Sequence, residues 1–173
     1  MKINKQEFPK NNQKKLIILM FINFFSLVTF AQEPKIAAIN QLDEFVFAAK
    51  NIAKTTKPIR VENLINEIQQ SVYVEFDGVK TYGIKPVSLF VNVKNISKIN
   101  DPEIKKENIE IINIRINTFD DLKTDIDLSK ISNFKNLKYI YIISEIRCNE
   151  SDIRPIIKNI GRYIVLYKIA SNS

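Results

Sequence analysis

The sequence has no histidine, no tryptophan, one cysteine and three glycines among its 173 residues. Without histidine there is no Ser-His-Asp triad, no Cys-His pair and no imidazole metal ligand. The single Cys148 cannot form an internal disulfide, and one cysteine without histidine cannot build a structural zinc site. Three glycines do not supply either of the common phosphate-binding loops. The sequence therefore implies no cofactor and no metal.

The N-terminal segment resembles an export signal. Met1–Lys15 carries five lysines and one glutamate, and Leu16–Phe30 carries no charge. As a helix the apolar segment would be roughly 22 Å long, which is short of the ~30 Å hydrocarbon core of a bilayer. Thr29-Phe30-Ala31 places small residues where a signal peptidase needs them, so we expect cleavage before Gln32.

This export prediction has consequences for localisation and charge. The segment resembles the signal peptides of Gram-negative envelope proteins, which implies a periplasmic or secreted protein that meets the membrane only through residues 1–31. A lipid anchor is excluded because Cys148 is far from the cleavage point, whereas an uncleaved membrane anchor is an open alternative. Cleavage leaves 21 basic and 18 acidic residues, dispersed along the chain, so the net charge falls from +7 to +3 and no nucleic-acid partner is expected.

Residues 32–173 match the size of a single α/β domain. Apolar residues at helical spacing predict an amphipathic helix over Ile36–Lys54 and a shorter one from Val61 to Gln70. The alternating segments around Asp77-Gly78 predict a hairpin with a two-residue type I′ turn, and the alternation from Val87 to Val93 predicts another strand.

Three similar segments begin at Asp101, Asp127 and Asp152. Each starts with a potential helix cap, continues with a short helix-like stretch and ends in a β-branched run, which predicts parallel strands joined by crossovers. The C-terminal half is therefore predicted as about three helix-strand units, and the two N-terminal helices are predicted to pack on a mixed sheet.

The repeat length and one segment resemble leucine-rich-repeat proteins. The strand signature LxxLxLxxNxL of that family is matched in the first segment by Ile109, Ile112, Ile114, Asn117 and Phe119, with isoleucine in place of leucine. The second and third segments depart from it, with Glu145 and Lys168 at the asparagine position. The resemblance implies a curved parallel sheet with a concave face.

That concave face is predicted to carry the candidate binding residues. It would include Ile111, Asn113 and Arg115 of the first segment, and its second and third segments contribute the candidate site, Tyr139, Tyr141, Ile143, Ile164 and Tyr167, together with Leu166. The face is too apolar to be simply solvated, so it is either a partner site or covered by the two N-terminal helices. We expect coverage, because amphipathic helices need an apolar surface to pack on.

The densest acidic group is Asp120, Asp121, Asp125 and Asp127, which could in principle surround a hard cation. The order of ligand residues that a calcium-binding EF-hand requires is missing from this segment, so we expect a solvated loop and a helix cap. Taken together, the sequence predicts an exported, non-catalytic protein that binds an unknown protein or envelope component. The alternative is a small metal-assisted or acid-only hydrolase of the cell envelope, built on aspartate and glutamate.

Overall fold

The computed structural model describes residues 39–170, which form an α/β structure around a seven-stranded, mostly parallel sheet. The predicted α/β class and mixed sheet are confirmed. The predicted signal segment, residues 1–31, lies outside the described residues, as do residues 36–38 at the start of the first predicted helix. No helix within residues 39–170 is long and apolar enough to cross a membrane.

The nine strands of the described region form two sheets. In chain order they are β1 (Ile39–Gln41), β2 (Ser71–Val74), β3 (Val79–Tyr82), β4 (Ser88–Asn92), β5 (Ile111–Ile116), β6 (Ile126–Asp127), β7 (Tyr139–Ser144), β8 (Ile157–Lys158) and β9 (Ile164–Ile169). The large sheet has the order β1-β9-β7-β5-β4-β2-β3, and β6 and β8 pair separately. Within the large sheet β2 and β3 are antiparallel and the other neighbours are parallel.

The helices are short and lie mainly in the connections. The α-helices are α1 (Leu42–Ala53), α2 (Arg60–Asn66) and α3 (Glu150–Ile153). Turns of 3-10 helix cover Val93–Asn100, Phe119–Lys123, Leu128–Lys130 and Arg154–Ile156. The helix-like stretches expected in the three C-terminal segments are therefore very short. The segment from Asp101 has turns only, the segment from Asp127 has one 3-10 turn, and the segment from Asp152 has the end of α3 and one 3-10 turn.

Two faces of the sheet are distinguished by what covers them. The core face carries alternate strand residues such as Ile112, Ile114, Ile140 and Ile142, which pack against the loops, the 3-10 turns and the β6–β8 pair. The helix face carries Ile111, Tyr141 and Leu166, which pack against Leu42 of α1 and against Val61 and Leu64 of α2. The main core lies on the core face, and a smaller cluster lies under the helices.

The N-terminal helix begins later than its apolar spacing predicts. Ile39–Gln41 pair in parallel with Val165–Tyr167 as the edge strand β1, and the side chain of Gln41 then accepts the N–H of Glu44 at 2.9 Å to cap α1. The predicted inward residue Ile52 is 84% exposed. Pairing with a strand more than 120 residues away overrides the local helical pattern.

The second predicted helix is shorter than expected, and its end has a local cause. It ends at Asn66 instead of Gln70, because Glu67 adopts extended dihedral angles of −103° and 152°. The side chain of Gln69 donates to the carbonyl of Asn63 at 2.9 Å and covers the helix end. Ile68 is consequently fully exposed.

The hairpin is confirmed, although its turn differs from the predicted type. The N–H of Glu75 donates to the carbonyl of Gly78 at 2.9 Å, which leaves Phe76 and Asp77 as the two central residues. Neither has a positive φ, so the turn is not type I′, and Gly78 at φ +146° follows it instead of forming its centre.

Candidate functional site

The helix face is only partly covered, and the uncovered part lies over β3, β2 and β4. Tyr73 and Phe90 are in register with each other and with Asn113, Tyr141 and Leu166, so all five side chains emerge on this face. The helices cover the row from Tyr141 onward. Asn113 marks the boundary, since it is buried and donates its side-chain amide to the carbonyl of Leu89 at 3.2 Å.

The uncovered part is an aromatic strip, defined here as Tyr82, Tyr73, Phe90 and Arg115. The rings of Tyr73 and Phe90 stack with centroids 4.9 Å apart and planes 11° apart. Tyr82, which is 59% exposed, meets Tyr73 edge to face at 5.6 Å. The guanidinium of Arg115 lies 5.7 Å from the centroid of Phe90. Because these side chains support one another, the strip is held in place before any ligand arrives.

Charges of both signs flank the strip. Lys80 pairs with Glu75 and lies 3.8 Å from Asp77, and Arg115 lies 4.0 Å from Glu145. Between the strands and Asn92 the strip forms a shallow depression of about 90 Å³. The arrangement offers apolar ring edges, hydroxyl groups and a cation, which suits recognition.

Of the five predicted binding residues, four lie on the helix face beneath or beside the helices. Tyr141 is only 4% exposed, and Tyr139, Ile143 and Ile164 are half-buried against the same cluster. Burial raises the pKa of Tyr141 to about 12 and also raises the pKa of Tyr139. The expected coverage of this face is therefore found, and Tyr141 is not open to a partner.

The prediction that Tyr167 lies on the helix face is wrong. It follows Leu166 directly, and strand alternation turns it to the core face, where it is buried beside Ile142. Its hydroxyl donates to Glu150 at 2.8 Å, and burial together with this hydrogen bond raises the pKa of Tyr167 to about 12. Lys168 takes the position beside Ile143 that the prediction gave to Tyr167.

Two ion pairs fix the helices over the face. Arg60 of α2 donates to Glu110 through Nε at 3.0 Å and Nη2 at 2.6 Å, a bidentate contact just before β5. The hydrogen bond from Arg60 holds the pKa of Glu110 below its usual value. Lys50 of α1 donates to Glu62 of α2 at 2.7 Å, so the two helices are also joined to each other.

Comparison of the chain with protein-family models, with curated proteins and with solved structures gives no match.

The acidic loop does not gather its carboxylates. Asp121 is buried and accepts the N–H groups of Asn117 and Thr118 at 2.8 and 2.9 Å. Asp127 accepts the side chains of Asn159 and Ser129, and Asp125 lies 3.8 Å from Lys158. Within residues 39–170 no cluster of acidic, cysteine or histidine side chains could hold a metal ion. The predicted capping role is confirmed. The predicted solvation of the loop is wrong for Asp121, which is buried.

A second depression, of about 420 Å³, lies between successive turns on the core side of the molecule. Its walls include Ile96, Ile99 and Ile131, and Asp125 and Asp127 lie at its rim. Both carboxylates have cationic neighbours, since Lys158 lies 3.8 Å from Asp125 and Lys130 lies 3.9 Å from Asp127. The charges at this rim are thus already balanced within the chain.

The hydrolase alternative needs a carboxyl group with a raised pKa to act as an acid. In the described part of the chain, every carboxyl group with a displaced pKa is displaced downward: Glu62, Glu110, Asp120, Asp121, Asp127 and Glu150. Each has hydrogen-bond donors or cations that stabilise its ionised form.

Sequence reasoning missed the aromatic strip, although part of the signal was available. Val72, Val74, Leu89 and Val91 alternate along two strands, and this places Tyr73 and Phe90 on the opposite face. What could not be inferred is that β2 lies directly beside β4, because the hairpin strand β3 separates them in the chain.

Proposed function

We propose that the protein is an exported binding protein without catalytic chemistry, and that its aromatic strip contacts a protein or envelope partner. The observation that carries this proposal is the strip itself, a row of aromatic residues that is half-buried at Tyr73 and Phe90, exposed at Tyr82, and ends in an arginine. Tyrosine, phenylalanine and arginine are enriched at protein interfaces. The aromatic residues bury much area at little cost in side-chain entropy, and arginine adds a planar guanidinium that stacks on rings and donates hydrogen bonds. A rim of paired charges around an apolar centre is typical of such interfaces.

The binding role moves from the predicted residues to the neighbouring strands. Tyr139, Tyr141, Ile143 and Ile164 contribute to this function by anchoring α1 and α2, which leave the strip as the open remainder of the face. The packing of the two helices on the sheet thus limits where a partner can bind.

We also infer that residues 88–169 are organised as repeated units. Support comes from β4, β5, β7 and β9, which are parallel neighbours in chain order, and from the pairing of β6 with β8 on the other side of the core. The leucine-rich-repeat pattern fits in part: Ile109, Ile112 and Ile114 are buried, whereas Asn117 and Phe119 are exposed.

Site-specific photocrosslinking tests the binding surface. Phe90 is replaced by a photoreactive benzoyl-phenylalanine in the full chain, which is expressed in cells and irradiated, and adducts are identified by mass spectrometry. The control carries the same residue in place of Phe47, which is 70% exposed on the outer side of α1. We expect a discrete adduct from position 90 that position 47 does not give.

A charge reversal makes this test specific. Arg115→Glu places a carboxylate beside Phe90 and opposite Glu145, and we expect it to reduce the position-90 adduct by at least about tenfold, as for an interface residue worth about 1.4 kcal/mol. An adduct that forms equally from both positions, or one that is indifferent to Arg115→Glu, would rule out the strip as the contact surface.

A further inference from the structure

The end of the large sheet at which its parallel strands begin is basic, although the whole described chain is nearly neutral. This amino-end rim is defined here as residues 50–70 together with the five residues before each of β4, β5, β7 and β9. Residues 50–70 belong to it because Arg60 pairs with Glu110, directly before β5. The rim has nine basic and four acidic residues, whereas the rest of residues 39–170 has eleven basic and thirteen acidic ones. Basic residues that are dispersed along the sequence are thus gathered at one end of the fold.

Most of the positive charge of the rim is not neutralised by the chain itself. Lys50 pairs with Glu62, and Arg60 with Glu110. The other seven basic side chains form no ion pair within residues 39–170: Lys54, Lys57, Lys85, Lys106, Lys135, Lys138 and Arg162. Elsewhere in the described chain, exposed lysines such as Lys80 and Lys123 do pair with carboxylates. The rim therefore presents a positive field to whatever lies beyond it.

Three strongly exposed isoleucines lie on the same rim. Ile52 and Ile84 are 84% and 81% exposed, and Ile68 is fully exposed. They belong to three different segments: the last turn of α1, the connection from α2 to β2, and the bend from β3 to β4. The last two segments are joined, since the N–H of Lys85 donates to the side-chain oxygen of Gln70 at 2.8 Å. The backbone of these segments is thus held in place while the isoleucine side chains point into solvent.

This combination of charge and exposed aliphatic side chains matches the surface of an anionic membrane. Lysines are attracted by anionic lipid headgroups, and aliphatic side chains beside them enter the boundary between the headgroups and the acyl chains. Ile84 directly precedes Lys85, and Ile52 lies two residues before Lys54. A protein interface would instead have an apolar centre that is depleted of lysine. Nucleic acid would attract the lysines through its phosphates but would offer the isoleucines no acyl chains.

The path of the chain points to the same end of the molecule. β1 begins at Ile39 and runs parallel to β9, so the chain enters the large sheet at the amino-end rim. The predicted export segment, Leu16–Phe30, therefore connects to the fold at the end that carries the unpaired lysines.

We propose that the amino-end rim docks on the surface of an anionic phospholipid membrane. Ile52, Ile68 and Ile84 enter the headgroup boundary, and the unpaired basic side chains lie over the lipid phosphates. The carboxyl ends of the parallel strands, with Arg115 near them, then face away from the lipid. This contact adds to the predicted one through residues 1–31, and it rests on neither the aromatic strip nor the cleavage site.

Cosedimentation with phospholipid vesicles tests the docking. The full chain is purified as the cell delivers it, and intact mass ensures that all samples compared have the same N-terminus. We expect binding to vesicles of equal parts phosphatidylglycerol and phosphatidylcholine to be at least about tenfold stronger than binding to phosphatidylcholine alone. Raising the salt from about 0.1 M to about 1 M shortens the Debye length from about 10 Å to about 3 Å, so it should release most of the bound protein.

Two exposed isoleucines test the insertion step. Ile68→Ser/Ile84→Ser should lower the partition coefficient on the anionic vesicles by at least about tenfold, because two aliphatic side chains no longer enter the lipid. Phe47→Ser/Phe119→Ser is the matched control, since both phenylalanines are strongly exposed but lie outside the rim. The control should bind like the wild type. Urea midpoints equal to that of the wild type verify that all four substitutions leave the fold intact.

A charge reversal tests the electrostatic step. Lys54→Glu/Lys57→Glu should also lower the partition coefficient by at least about tenfold, because each lysine near an anionic surface contributes to binding. Lys123→Glu/Lys130→Glu makes the same change in net charge at two lysines outside the rim, each with a side chain that is 79% exposed. This control should lose much less binding than the rim variant.

Three results would overturn the proposal. The first is wild-type protein that does not bind the anionic vesicles more strongly than phosphatidylcholine alone. The second is an equal loss of binding from a rim variant and its control. The third is binding that Lys54→Glu/Lys57→Glu abolishes but Ile68→Ser/Ile84→Ser leaves unchanged, together with equally tight binding to a DNA duplex. That result would make the rim a general polyanion site.

Discussion

Asp121 is a buried carboxylate that stabilises the turn after β5. Burial by itself raises the pKa of Asp121, but the N–H groups of Asn117 and Thr118 and the nearby Lys94 outweigh burial and hold that pKa below its usual value. A carboxyl group whose pKa is lower in the folded state contributes stability above its unfolded pKa of about 3.9. That contribution is lost as the pH falls through the folded pKa.

Asp121→Asn should therefore destabilise the protein in a pH-dependent way. We expect it to lower the free energy of unfolding by about 1–3 kcal/mol at neutral pH, because a charged acceptor of two backbone N–H groups is lost. The difference in unfolding free energy from wild type should shrink as the pH falls below the pKa of the unfolded carboxyl group. Urea unfolding over a pH series measures both effects.

Asp120 is the matched control for this experiment. It adjoins Asp121, but it is exposed and pairs with Lys123 on the surface. Asp120→Asn should change the urea midpoint much less than Asp121→Asn does, because the pKa of Asp120 is lowered by an exposed ion pair and such pairs contribute little. If the two substitutions lower the free energy of unfolding equally, Asp121 acts through the overall charge of the loop and not through its hydrogen bonds to Asn117 and Thr118.

At the scale of elements, α1 and α2 form a cover over one part of the sheet. Leu64 of α2 is buried against the cluster that contains Ile111, Tyr141 and Leu166. Leu64→Ala should lower the free energy of unfolding by about 2–4 kcal/mol, because it leaves a cavity under the cover. It should also speed hydrogen exchange in residues 42–66 more than in β5 and β7.

Tyr141 reports directly on this loosening. Burial raises the pKa of Tyr141 to about 12, so admission of water should bring the pKa back toward its ordinary value. An absorbance titration of the phenol groups measures this shift. Ile68→Ala is the control, since Ile68 is fully exposed and its loss should change neither exchange nor titration. If Leu64→Ala speeds hydrogen exchange equally across the whole sheet, α1 and α2 do not loosen independently of the strands.

The same elements show what the sequence could predict. Period-two alternation correctly predicted the hairpin and the strand β4, and the β-branched runs correctly predicted strands at β5 and β7. Local patterns could not predict that Ile39–Gln41 pair with β9, since this contact is set by the distant Val165–Tyr167. Tyr167 was misplaced because Ile164, Leu166 and Tyr167 were assigned to one face, although adjacent strand residues point to opposite faces.

The candidate site was harder to predict than the strands that carry it. Tyr139 and Tyr141 were correctly expected on one face, but their burial depends on α1 and α2, which come from much earlier in the chain. The aromatic strip depends on β2 and β4 lying side by side, and on Arg115 reaching Phe90 from the next strand. Such contacts follow from the strand order of the whole sheet, which no local pattern specifies.

At the scale of the whole molecule, the proposed export has physical consequences. Removal of residues 1–31 takes away five lysines and one glutamate, so the remaining chain has a net charge of +3 instead of +7. Cys148 is half-buried against the core, with its sulfur 3.2 Å from the hydroxyl of Ser144. Because a single cysteine cannot form an internal disulfide, the stability of the exported form has to come from packing, which the aliphatic core of the sheet supplies.

The proposed cleavage can be tested by intact-mass measurement and N-terminal sequencing of protein recovered from the envelope. We expect the chain to begin at Gln32, because Leu16–Phe30 is too short to span the bilayer without strain and Thr29-Phe30-Ala31 fits the cleavage site. Ala31→Phe is the matched variant: a bulky residue at the cleavage position should leave the precursor uncut and held in the membrane fraction. Wild-type protein that begins at Met1 in washed membranes would instead support the uncleaved anchor, and the aromatic strip would then serve a membrane-tethered protein.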